Sequence, residues 1–251
     1  MGELPKDNFS VQAGLYAKYR PNYGKDIADF ILQYVKNRQR ALDCGTGSGQ
    51  AAKLLSGYFE RVDAIDISEK QILNAFQAPN IFYRVAKADQ TNFEDNSFDL
   101  ITCATALHWF NFDMYFPEMK RVAKNNAVFA SWAYDLIRTD SPLIDSSIRT
   151  FYGETVHEYW DAERRHVDNH YNTIPFPFRQ IPDPGFEIAL TWSPSDLEGY
   201  INTWSAVQHF IKQNGINPVN ELIGKIRNDI GTETEIKVTF PVFMKIGIIE
   251  K

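Results

Sequence analysis

Residues 41–50 read ALDCGTGSGQ, an apolar strand end that runs through Asp43 into a loop with glycines at 45, 47 and 49. Three glycines at alternate positions remove the Cβ atoms that would hold a ligand off the backbone. They also permit the positive φ angles of a tight strand-to-helix turn. The pattern is that of a nucleotide-cofactor loop, and its spacing is informative. A dinucleotide loop carries glycines at positions one, three and six, which here are Gly45, Gly47 and residue 50, and residue 50 is Gln. The third glycine falls one place early, at Gly49.

Outward from the loop, apolar runs alternate with amphipathic ones from about residue 25 to residue 133, the pattern of a parallel sheet covered by helices. Helical spacing over 26–35 leads into a first strand at 40–44. A helix over 50–59, a strand at 61–66, a helix over 68–76 opened by Ser68, and a strand from Ile81 follow. Strands at 96–104 and 127–132 flank a helix over 112–123. The register then changes: residues 134–184 are rich in Arg, His, Tyr, Trp and Pro, and TIPFPFRQIPDPGF alone holds four of the 12 prolines. This stretch reads as an inserted cap, helical over 143–160 and irregular later. Order resumes with a strand at 186–192, helices over 195–213 and 218–229, and a last strand at 235–249.

The chain has 251 residues and a net charge of −6, with Lys and Arg scattered rather than striped. One α/β domain with an insertion is the simplest organisation at that length, and nucleic acid is disfavoured as a partner. No apolar run spans a bilayer and the N-terminus lacks a signal-peptide core, so a cytoplasmic, soluble protein is expected. Cys44 and Cys103 lie inside apolar runs, as reduced core thiols do. Asp66 closes the second strand, 17 residues after Gly49, where a carboxylate in an open α/β sheet reaches ribose hydroxyls; the alternative is a solvated Asp beside the next helix.

Asp43-x-Gly-x-Gly-x-Gly resembles motif I of the class I S-adenosylmethionine (SAM) methyltransferases, and further segments extend the resemblance over roughly the whole chain. FEDNSFDLITCATALHWF is similar to the strand after motif II of that family. In FSVQAGLYAKYRPNY, a Tyr-x-x-x-Arg-Pro element resembles the family's opening, and GYINTWSAVQHF resembles the C-terminal helix of its trans-aconitate methyltransferase-like subgroup. The resemblance implies a Rossmann-like, doubly wound, mostly parallel seven-stranded sheet with an antiparallel last strand. Residues 1–24 would close over the site, and 134–184 would form the cap.

The same resemblance implies SAM as cofactor and supplies site residues. Asp43, Gly45, Thr46, Gly47 and Gly49 form the loop, with Asp43 holding it or reaching the ligand's ammonium group. Asp66 and Ile67 take the ribose side; Ala88, Asp89 and Gln90 take the adenine. Thr105, Ala106 and Trp109 take the methyl end, and Tyr16, Tyr19 and Arg20 the methionine end. The bland counterparts are a polar turn around Asp89, an amphipathic first helix ended by Pro21, and core packing of the His108-Trp109 pair. His108 is the candidate general base. Arg164, Arg165, His166 and His170 are candidates for binding an acidic molecule or, for the two histidines, a metal; a solvated helix face is the other reading. Trp204 and His209 are placed near the substrate cavity.

The expected activity is methyl transfer to a small-molecule acceptor such as a carboxylate oxygen, by in-line displacement, in a monomer or homodimer. An NAD-dependent oxidoreductase is the rival; Gln50 and the lack of a Tyr-x-x-x-Lys pair after the fourth strand weigh against it. A protein that holds SAM or its product without turnover is the third reading.

Overall fold

The computed structural model describes residues 18–231 and 234–251. Helix α1 (Lys25–Leu32) leads to strand β1 (Arg40–Cys44), α2 (Gln50–Ser56), β2 (Arg61–Asp66), α3 (Glu69–Leu73), β3 (Ile81–Val85), β4 (Phe98–Ala104), α4 (Phe112–Val122) and β5 (Ala123–Tyr134). These five strands pair in parallel in the order β3-β2-β1-β4-β5. The order reverses at β1, where the chain steps outward to β2 and β3 and then returns to β4 on the other side. That reversal opens a crevice beyond the carboxyl ends of β1 and β4.

The central strands are apolar on both faces because both faces are covered. Along β5, Val128, Ala130 and Trp132 join a core with Ile27 and Ile31 of α1 and Leu55 of α2, while Phe129 and Ala133 join a second core with Tyr115, Phe116 and Met119 of α4. Burying these side chains contributes about 1.5–3 kcal/mol each relative to exposure.

After β5 come β6 (Arg138–Thr139), α5 (Pro142–Thr150), α6 (Arg164–Asp168), β7 (Arg179–Ile181), β8 (Phe186–Trp192), α7 (Pro194–Asn202), α8 (Ser205–Asn214), α9 (Val219–Ile230) and β9 (Ile236–Ile249). Strand β9 runs antiparallel to β5 from Ala127↔Ile249 to Tyr134↔Val242, and β6, β7 and β8 also pair with it. The mostly parallel sheet with an antiparallel last strand is therefore as expected, and each of the seven expected strands has its counterpart. Two more, β6 and β7, come from the 134–184 stretch. At two and three residues they are too short to leave a periodic signal.

The helix expected over 195–213 is two helices. Thr203 and Trp204 donate back to Tyr200 and Ile201, closing the last turn of α7, and α8 starts afresh at Ser205. The break leaves the Thr203 carbonyl for a side chain from the N-terminal segment. Among the described residues, no helix is long and apolar enough to cross a membrane.

Candidate active site

The glycine loop is held from below. Asp43 is 1% exposed, and its carboxylate accepts from Thr46 Oγ1 at 2.6 Å and Thr102 Oγ1 at 2.8 Å, tying the loop to β4. Gly45, Gly47 and Gly49 have φ of 65°, 52° and 79°, all in the left-handed region. A Cβ on Gly45 would lie 2.6 Å from that of Ala106, and one on Gly49 would collide with the Tyr83 hydroxyl; one on Gly47 would meet no atom within 4 Å. Asp66 spans the next gap, accepting from the Gly47 amide and from the Ser68 amide, both at 2.9 Å. Its carboxylate thus joins the loop to the start of α3.

Burial pushes the Asp43 carboxyl up to about 6 from its ordinary 3.8, against the two threonine hydrogen bonds that favour the charged form. Folding raises this pKa, so the folded state binds the proton more tightly. The contribution of Asp43 to stability accordingly falls as pH rises from about 4 to about 6 and is constant above that. Asp43→Asn should remove a fall on the order of 3 kcal/mol. Urea unfolding between pH 4 and pH 7 checks this: the parent should lose more stability than the variant across the window, and parallel curves would contradict the assignment.

At the end of β4 the chain makes a strained turn. Thr105 has φ of 53°, unusual for a β-branched residue, and donates its amide to the Trp132 carbonyl at 2.7 Å. Its Oγ1 is 2.7 Å from the Tyr23 hydroxyl, and the Tyr23 ring stands edge-on to Trp132 at 5.5 Å. Arg20 reaches across from the N-terminal segment, donating to the Tyr134 hydroxyl at 2.6 Å and to the Thr203 carbonyl at 3.1 Å.

These parts enclose a cavity of about 320 Å³, within the range of small-molecule sites. Of the residues singled out from sequence, Arg20, Gly45, Thr46, Gly47, Asp66, Ile67, Ala88, Asp89, Thr105, Ala106 and Trp109 line it. Asp43 and Gly49 act from behind the wall, by hydrogen bond and by steric clearance. Gln90 is exposed in a turn, and Tyr19 packs against Gly199, whose Cβ would lie 2.5 Å from the ring. Tyr16 lies outside the described residues. Sequence reading passed over Tyr23, Gln71, Asn111, Tyr134 and Glu163, which also line the cavity.

A second chamber of about 50 Å³ adjoins the first and shares Arg20, Thr105 and Trp109 with it. Aromatic rings dominate its wall: Trp109, Tyr152, Trp160, Tyr200 and Trp204, with His108 and Arg164. His108 faces this chamber and not the larger cavity. It is 6% exposed, its Nδ1 is 3.2 Å from the Tyr171 hydroxyl, and burial, aided by the nearby Arg164 and His166, holds its pKa down to about 3. A neutral imidazole that resists protonation so strongly is a weak base.

The rest of the basic cluster is dispersed. Arg165 is exposed, His166 bonds Thr173 at 2.7 Å, and His170 stacks on Phe243 and pairs with Asp135. No cluster of metal-binding side chains occurs among the described residues. His209 bonds the Tyr159 carbonyl at 2.9 Å and lines neither chamber, whereas Trp204 is both core and chamber wall.

Comparison with known proteins identifies the family and the fold. A methyltransferase domain family matches residues 42–131, the span from β1 through most of β5. A Dictyostelium discoideum protein named as a methyltransferase is 31% identical over 248 residues, covering 95% of this chain and 93% of its own. A Saccharomyces cerevisiae protein named as a SAM-dependent methyltransferase is 25% identical, over 52% of this chain and 49% of its own. The solved structure of an Anaeromyxobacter dehalogenans protein described as a type II methyltransferase superposes with a TM-score of 0.85 at 38% identity, covering 92% of this chain and 99% of that one. The chain belongs to the class I SAM-dependent methyltransferases.

Proposed function

We propose that the larger cavity holds SAM and the smaller one the acceptor, and that a methyl group passes between them beside Thr105 and Trp109 to a carboxylate oxygen of a small molecule. The observation that carries this reading is the shared wall: Arg20, Thr105 and Trp109 line both chambers, so donor and acceptor meet there.

The residues fit the cofactor. Gly47 leaves backbone open towards the cavity, Asp66 holds its carboxylate on the cavity wall between the Gly47 and Ser68 amides, and Ile67 and Ala88 supply apolar surface. Asp66 would accept from the ribose hydroxyls and Asp89 from the adenine amine. Arg20 would answer the carboxylate of the methionine end. Bound SAM supplies an electrophilic methyl on a sulfonium.

The protein's part is to align and to exclude water. Trp109 presents a ring at the junction, and the Tyr23–Thr105 hydroxyl pair fixes the strained turn that forms its floor. No base is assigned: a carboxylate acceptor is already nucleophilic, and the low pKa of His108 suits it to packing and hydrogen bonding. Residues 134–184 would act as the cap, since Trp160, Asp161, Glu163 and Arg164 all reach the two chambers from it.

Incubation with methyl-labelled SAM and a pool of small organic acids tests both parts. Label should enter a product that releases labelled methanol in alkali, as a methyl ester does. A base-stable product would refute the carboxylate oxygen, and no transfer across the pool would refute the acceptor class.

A further inference from the structure

We propose that Arg164 is the acceptor-specificity residue, a guanidinium anchored on one edge and presented on the other to a carboxylate in the aromatic chamber. The inference rests on the two-chamber reading above and adds to it the group that selects the acceptor.

Arg164 is held through Nε alone, which donates to the Tyr152 hydroxyl at 2.9 Å and to Asp168 Oδ1 at 3.1 Å. Its guanidinium carbon lies 5.0 Å from the Trp160 ring centre and 5.4 Å from that of Tyr152. The plane is therefore fixed by two polar contacts and two ring faces, and the side chain is only 22% exposed. Nη1 and Nη2 make no hydrogen bond to any described residue, although Arg164 lines the chamber. A fork of parallel N–H donors of this kind matches a carboxylate in two-point contact.

The other charged groups on the wall do not compete for that role. Arg20 bonds Tyr134 and Thr203 and is assigned above to the methionine carboxylate of the cofactor, and Asp161 is itself an acid and no partner for a carboxylate. His108 is neutral. A ring of aromatic side chains without a cation would suit an ammonium ligand; a guanidinium seated among them repels one and favours a flat anion. Two N–H bonds leave lone pairs on a carboxylate for reaction, since its oxygens offer about four sites. The chamber, at about 50 Å³, fits the acid end of an acceptor and little more, which makes a short planar acid a suitable probe.

The test titrates protein loaded with S-adenosylhomocysteine (SAH) with crotonate, crotonamide and butylammonium, read by the fluorescence of Trp109, Trp160 and Trp204. Crotonate should give a saturable change and the other two should not. Arg164→Gln should weaken crotonate binding by about tenfold or more, while Arg165→Gln, one residue away and exposed, should stay within about twofold. SAH affinity of both variants, measured separately by calorimetry, should stay within about threefold of the parent. Equal binding of acid and amide, no saturable response to crotonate, or unchanged crotonate affinity in Arg164→Gln would overturn the proposal. The acid-to-amide comparison uses the unaltered protein, so it decides even if the variant folds poorly. Loss of SAH binding by the parent would instead strike the two-chamber reading.

Discussion

Asp66→Ala should lower SAH affinity by roughly 100-fold or more while leaving the protein folded. Hydrogen bonds to a charged group contribute about 1.5–3 kcal/mol each, and two ribose hydroxyls on one carboxylate give about 3 kcal/mol at the lower end. The same carboxylate also holds the Gly47 amide and the Ser68 amide, so its removal slackens the loop that SAM must lie against. Both effects weaken binding. Neither threatens the core, because Asp66 sits half-buried at the carboxyl end of β2, and its side chain is not a member of the apolar clusters on either face of the sheet. Asp66→Asn keeps the shape and one acceptor oxygen and should fall between parent and Ala. Calorimetry with SAH reads the affinity and thermal unfolding reads the fold; unchanged affinity in the Ala variant would sink the ribose assignment.

The sites that were legible in the sequence are those where one short segment carries its own constraint. Alternate glycines announce a backbone that must adopt positive φ, and all three do so. Asp66 is marked by its place at a strand end in a parallel sheet, and it does reach the cavity. What the sequence could not show is which face of a residue the cavity takes. Gly49 belongs to the motif, yet its missing Cβ makes room for Tyr83 rather than for a ligand. Asp43 is spent on Thr46 and Thr102 beneath the loop. Conversely, Tyr134 at the end of β5 and Glu163 in the cap carry no local mark of a cavity residue, and Arg164, a candidate for an acidic ligand on its charge, is set apart from Arg165, His166 and His170 only by the packing that turns it to the chamber. The break at Thr203, which provides a carbonyl for Arg20, was hidden because both halves of the helix continue one apolar stripe.

Gly47→Val should abolish detectable SAH binding in a protein that still folds, and Gly45→Val should fail to fold stably. The two glycines differ only in what stands opposite. At Gly47 a Cβ meets nothing within 4 Å, so the added methyl groups stand in the cavity where the cofactor would lie. The cost to the fold is the left-handed backbone, on the order of 1–3 kcal/mol for a non-glycine residue. In a chain of this size that lowers the melting temperature by roughly 2–4 °C per kcal/mol. At Gly45 the same substitution adds a collision with the Ala106 Cβ at 2.6 Å, an atom fixed to the backbone, and a tight contact with the tip of the Phe110 ring at 3.3 Å. Thermal unfolding and SAH calorimetry on the pair separate the two causes. A Gly47→Val protein that binds SAH like the parent would mean that the open space beside this glycine is not where the cofactor lies. A well-folded Gly45→Val would mean that the turn after β4 yields, and with it the strained Thr105 that forms the wall between donor and acceptor.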